Sequence, residues 1–176
     1  MLRTALLFSL LLVAAPASAQ TLTVGPGMMY ATIAAAAAAS TDGATIEISA
    51  GTYHEEVVWT HNGLTIHGNG DVIIDRTGMP LTNQGGKGIF IVDGADITVD
   101  GITFVGAHVD DPTPADHGEN GAGIRWQGEG MLTVRHCVFR GNENGILAPS
   151  CRVTASSRPS VPCSAAISLR SRTATP

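Results

Sequence analysis

The final segment of the chain, 149–176, contains no glycine, aspartate or glutamate, yet holds four Arg, seven Ser and four Pro. Basic residues are scarce before it: residues 20–148 have Arg76, Lys87, Arg125, Arg135 and Arg140 against all 15 acidic residues, a net charge of −10 where the whole chain carries −5. Such an acidic body excludes nucleic acid as a partner, because phosphate binding rewards Lys and Arg. It would also repel a polyuronate unless a metal ion bridged the two. Cysteine is rare and odd in number, with Cys151 and Cys163 in the final segment, so no disulfide framework is expected. Cys137 reads as a small core residue. No zinc-ligand spacing is present, nor a Gly-x-Ser-x-Gly elbow. No hydrophobic run reaches the roughly 20 residues that span a bilayer.

The apolar run that does exist, Ala5–Ala15, follows a short basic start at Arg3 and precedes Ala17-Ser18-Ala19. These are the three parts of a secretory signal peptide. The sequence therefore predicts a signal peptide at 1–19, a secreted or periplasmic location, and no membrane span after its removal.

Two stretches are alike. Residues 88–106 align without a gap on 123–141, an offset of 35. Gly88/Gly123, Ile89/Ile124, Thr98/Thr133, Val99/Val134, Phe104/Phe139 and Gly106/Gly141 are identical, and Ile91/Trp126, Ile97/Leu132 and Ile102/Cys137 are both apolar. The Gly-Ile start recurs at Gly145-Ile146, 22 residues after Gly123. A coil of about 22 residues fits both spacings if the longer interval carries an inserted loop in Ala107–Ala122, where Pro112, Pro114, Gly118 and Gly121 lie. Each coil reads as three short alternating strands, for instance Ile124–Gln127, Leu132–Arg135 and Cys137–Arg140, separated by Gly and Asn. Stacked three-strand coils make a solenoid with inward ladders. The expected inward set is Ile89, Ile91, Ile97, Val99, Ile102 and Phe104.

Earlier in the chain, Thr32 can cap a helix over Ile33–Ser40, ended by Thr41-Asp42-Gly43. A helix there would cover the open edge of the first coil. Strands are predicted at Thr45–Ser49, Glu55–Trp59, Leu64–His67 and Val72–Asp75, with turns at Asn62-Gly63 and Asn69-Gly70. The fold class is thus all-β, with 20–148 expected to be the N-terminal part of a right-handed single-stranded parallel β-helix that carries a short N-terminal capping helix. The coil begun at Gly145 meets Pro149 where a strand is due, so 149–176 is expected to be a disordered or out-of-frame tail.

Tyr30-Ala31-Thr32-Ile33, the alanine helix, Asp42-Gly43-Ala44-Thr45-Ile46, Ala50-Gly51-Thr52-Tyr53-His54-Glu55, Leu64–Gly70 and Val72–Asp75 together resemble the opening of pectin-lyase-like β-helix proteins. The likeness covers about 21–148. It implies the fold, and it implies binding or processing of polysaccharide; the superfamily includes lyases, hydrolases, esterases, epimerases, tailspikes and accessory proteins. In such proteins ligands lie along the sheet that follows the inserted loops. That implies a groove at Phe90, Arg125 and Gln127, with Val92 beside them. The loop offers Asp110, Asp111, Asp116 and Glu119, oxygen ligands of the kind Ca²⁺ takes, together with His108 and His117. In pectate lyases such an ion binds the uronate. Residues 123–139 are similar to their strand-turn-strand motif ending in Asp-His, but Arg135 precedes His136 here, and Gln127-Gly128 replaces the paired acids. No catalytic residue is assigned. Two functions stay open: an exported, truncated β-helix that binds or processes polysaccharide, with pectate-lyase chemistry as one form the resemblance implies, and a non-catalytic exported scaffold, adhesin or periplasmic accessory protein.

Overall fold

A computed structural model describes residues 20–82, 88–110, 120–148 and 166–167. The elements are β1 (Thr21–Val24), α1 (Ile33–Ala39), β2 (Thr45–Tyr53), β3 (Val57–Trp59), β4 (Thr65–Asp75), β5 (Gly88–Val92), β6 (Ile97–Val105), β7 (Ala122–Trp126), β8 (Leu132–Arg135), β9 (Val138–Arg140), β10 (Asn144–Leu147) and β11 (Ala166–Ile167). All strand pairs are parallel. Sheet A has the order β1-β2-β4-β6-β8-β11, with β9 also on β6, and sheet B has the order β10-β7-β5-β3. Each strand pairs with its counterpart one coil away, and the chain alternates between the sheets. This is the parallel β-helix that the repeat predicts.

Within sheet A, β2, β4 and β6 each turn a corner, with register shifts at Ser49/Gly51 and His67/Val72. Gly70 and Gly101 sit at two of these corners with φ of 91° and 73°, a region glycine enters at no steric cost. In the next coil β8 and β9 divide the strand. The pairings Asp100↔Arg135 and Thr103↔Val138 put His136 in Gly101's place, with φ of 50°. A non-glycine residue there costs about 1–2 kcal/mol.

The core lies between the sheets. Ile46, Ile66, Val99 and Val134 form one inward column of sheet A, and Val72, Ile102, Ile74 and Phe104 form others. From sheet B come Val57, Trp59, Phe90, Val92, Ile124 and Trp126. Phe90 meets Trp59 and Phe104 edge to face, at centroid distances of 5.4 and 5.0 Å, so aromatic rings tie the two sheets together.

The stacking of Val99 on Val134 and Phe104 on Phe139 follows the predicted offset of 35. Sheet B does not. There Phe90 pairs with Ile124, Ile91 with Arg125 and Val92 with Trp126, an offset of 34. The turn after β7, Gly128-Glu129-Gly130-Met131, has one residue more than Gly94-Ala95-Asp96 after β5, so a gapless alignment is out of step before the turn. A one-residue slip exchanges the two faces of a strand. Phe90 and Val92, expected in a groove, are therefore core residues with no exposure, and Ile91, though buried as expected, stacks in the column of Arg125 rather than in that of Trp126. Ile89, Ile91, Ile97, Val99, Ile102 and Phe104 are all buried as predicted.

Helix α1 forms where expected. The Thr32 hydroxyl accepts from the Ala35 amide at 3.2 Å, and Ser40 is the C-cap. The Glu55 carboxylate also accepts from the Ile33 and Ala34 amides at 3.0 and 2.9 Å, placing negative charge where the helix dipole favours it. Ile33, Ala36 and Ala37 are buried, and the helix packs on β1, β2 and β3 at the first coil.

Two excursions leave at the same corner, between sheet A and sheet B. One runs from Arg76 to 87 and the other from Gly106 to Gly121, and only the second is foreseen by the repeat. The proposed signal peptide, 1–19, lies outside the described residues. Of 149–176 only Ala166 and Ile167 are described, and they pair with Thr133 and Val134.

Candidate functional site

Both excursions border sheet B, whose outward column runs Val58, Ile91, Arg125, Leu147. Alternation along β7 turns Ile124 and Trp126 inward and leaves Arg125 outward. Arg125 is half-buried. Its Nε is shut off from solvent and has no hydrogen-bond partner. Gln127, just past the strand, is exposed and makes a polar contact. Of the predicted groove residues, Arg125 and Gln127 therefore lie outside the core, and Phe90 and Val92 do not.

Each excursion is clamped by a glutamate just ahead of a sheet B strand. Ahead of β3, Glu56 pairs with Arg76 at 2.6 Å and accepts from the Thr82 amide at 3.0 Å. Ahead of β10, Glu143 accepts from the Val109 amide at 3.0 Å and from the Gly121 amide. Asn142 adds a bond from the Ala107 amide at 2.8 Å. The two excursions also touch, through Leu81 N–H and the His108 carbonyl at 2.9 Å. These clamps are invisible to pattern reading, because each joins residues 20 to 34 positions apart.

Among the predicted calcium ligands, Asp110 is exposed, with one oxygen 3.9 Å from His108 Nε2. Asp111, Asp116 and Glu119 lie outside the described residues. Among the described residues no group of three His, Cys, Asp or Glu side chains is placed to hold a metal ion.

The densest polar cluster is on the outer face of sheet A. Its column runs Glu47, His67, Asp100, Arg135, beside a column of threonines, Thr45, Thr65, Thr98 and Thr133. Asp100 is 16% exposed. Its Oδ1 lies 2.8 Å from His136 Nδ1, and its Oδ2 lies 3.3 Å from Arg135 Nη2 and 4.0 Å from His67 Nδ1. Underneath, the Cys137 thiol packs against the core, and burial pushes its pKa up to about 11. Sequence reading considers Arg135 and His136 only against a motif they do not match. Asp100 is 36 residues from His136, so its place beside them needs the coil register.

No family model matches the chain, and no curated protein does either. Among solved structures, that of the pectin methylesterase from Aspergillus niger is similar, with a TM-score of 0.46 and 19% identity. The match covers 77% of this chain and 56% of that enzyme's. The chain thus spans little more than half of that enzyme's length.

Among the described residues no helix is long and apolar enough to cross a membrane.

Proposed function

We propose that the chain is an exported β-helix protein that binds an acidic polysaccharide across the outer face of sheet B, with Arg125 meeting a sugar carboxylate and Gln127 beside it. The observation that carries this reading is the position of Arg125, partly exposed in the outward column of sheet B. A carboxylate is the planar acceptor that the guanidinium fork fits. Calcium at Asp110, Asp111, Asp116 and Glu119 belongs to the same reading: a bound cation would offset the acidic loop and let a uronate approach.

Calorimetry of the full chain with an oligogalacturonate and with a neutral oligosaccharide, each with and without Ca²⁺, tests it. Saturable binding of the acidic ligand, weakened at least tenfold by Arg125→Gln, is the expected result. Equal affinity for acidic and neutral ligands, or no effect of Arg125→Gln, overturns it and leaves the scaffold reading. Export is checked by intact mass: the secreted protein should begin at Gln20.

A further inference from the structure

We infer that the cluster around Asp100, on the outer face of sheet A rather than on sheet B with Arg125, is a pH-gated binding site for a tetrahedral oxyanion, a phosphate or sulfate group. Four side chains from three coils converge there: His67 from β4, Asp100 from β6, Arg135 from the end of β8, and His136 from the corner after it. Asp100 is the single carboxylate among three groups able to carry positive charge. Its two oxygens face one nitrogen of each: Nδ1 of His136, Nδ1 of His67 and Nη2 of Arg135. The remaining donors are Nε2 of both rings and the rest of the guanidinium, on side chains 41%, 50% and 67% exposed for His67, Arg135 and His136. The donors exceed what one carboxylate can satisfy, and the surplus lies on the outer face of one sheet.

The backbone supports a ligand role. The corner that His136 occupies is filled by Gly101 one coil below, and His136 adopts the glycine-like φ of 50°. A strained residue persists where its surroundings hold it, and such residues gather at functional sites. What holds His136 is Asp100, at 2.8 Å.

The gating follows from counting the charged groups that face the cluster. Glu47, beyond His67 in the same column, and Asp100 are negative; Arg135 is positive; the Cys137 thiol is neutral. With both imidazoles neutral the group has one net negative charge, and with both protonated it has one net positive charge. Imidazoles are the side chains that change charge between about pH 5 and 8. An oxyanion is therefore favoured on the acid side, where three charge-assisted donors meet it, and repelled on the alkaline side. The oxyanion could be a free ion or an ester group on a polymer.

The full chain should be titrated with inorganic sulfate and inorganic phosphate near the two ends of that interval, about pH 5.5 and about pH 8, by calorimetry and by the NMR shifts of the His67 and His136 ring protons. Dextran sulfate and dextran are the parallel arms. Saturable binding at the lower pH, at least tenfold tighter than at the higher, with both rings shifting, is expected. His136→Gly should keep the melting temperature, since the corner accepts glycine, and lose at least tenfold in affinity. Arg135→Gln should do the same and serves if the first variant fails to fold. Tighter binding of dextran sulfate than of the free ions identifies a polymer source, and the reverse identifies a free ion. Arg125→Gln should leave this binding intact, which separates it from the carboxylate site on sheet B. The inference is overturned by absence of saturable binding at the lower pH, by equal affinity at both, or by affinity unchanged in Arg135→Gln.

Discussion

Phe139 lies on Phe104, one coil below, with ring centroids 5.3 Å apart and planes only 10° from parallel. The two are the same position in successive coils, but their surroundings differ. Phe104 has no exposure and also meets Phe90 edge to face, whereas Phe139, one coil further on, is half-buried. Phe104→Ala should cost about 3–5 kcal/mol, the range for an aromatic truncated in a packed core. Phe139→Ala should cost less, about 1–2 kcal/mol, because part of its surface already meets solvent. Urea unfolding of both variants checks this, and a larger loss at Phe139 would contradict the burial seen here.

A second prediction concerns the turn between sheets B and A. There Gly128 sits against the Gly94 carbonyl, and Gly94 against the His61 carbonyl, too close for a side chain. Gly128→Ala would drive Cβ into main chain that cannot yield without separating two coils. We expect a loss of several kcal/mol, among the large effects that backbone strain produces, or failure to fold. Gly27→Ala and Gly141→Ala, with open space but positive φ, should cost only about 1–2 kcal/mol. Comparing the denaturation midpoints of the three variants decides whether contact or backbone angle dominates.

Glu143 should govern local rather than global stability. Its carboxylate holds both ends of the second excursion, through Val109 and Gly121. Glu143→Ala should speed hydrogen exchange at those two amides, while the amides of β6 keep their protection, as expected when only a local unit opens. Loss of protection across β6 would mean that the clamp supports the solenoid itself.

Cys137 should be a slow thiol. Burial raises its pKa from the ordinary 9.0 to about 11, so at any pH below 9 its thiolate fraction falls about a hundredfold, and the thiolate is the reactive form. Folding favours the protonated thiol, so this contribution to stability is complete below pH 9 and is lost as pH rises toward 11. In a chain carrying Cys151→Ser and Cys163→Ser, iodoacetamide should label Cys137 at about one hundredth of the rate in urea, or more slowly. Comparable rates in the two conditions would contradict the buried geometry.

The solenoid and its capping helix were legible because they are written in nearby residues: alternating apolar triplets, Gly-Ile restarts, and Thr32 ahead of an alanine run. The face of β5 was not. Its side chains follow from the register to β7, and that register depends on one additional residue in the Gly128–Met131 turn, which a gapless comparison conceals. The first excursion, Arg76 to 87, has no repeated partner in sequence to betray its length. The Asp100 cluster was hidden for the same reason: Asp100 is 33 to 36 positions from its three partners, and both excursions must be located before His67, Asp100 and Arg135 fall into one column. The outward position of Arg125 follows from the alternation of Ile124 and Trp126 along its own strand, whereas its neighbour one coil below needs the register.

Both excursions leave the solenoid at one corner, so the two long insertions are absorbed there. The outer face of sheet A between Thr45 and Arg135 is consequently a ruler, graduated by the backbone at about 4.8 Å per coil and indifferent to how much chain is spooled out on the other side. Insertions could lengthen or reshape the loops over sheet B without moving a single mark on that ruler. The two faces are thus free to vary at different rates, one serving as an adaptable surface and the other as a fixed scale.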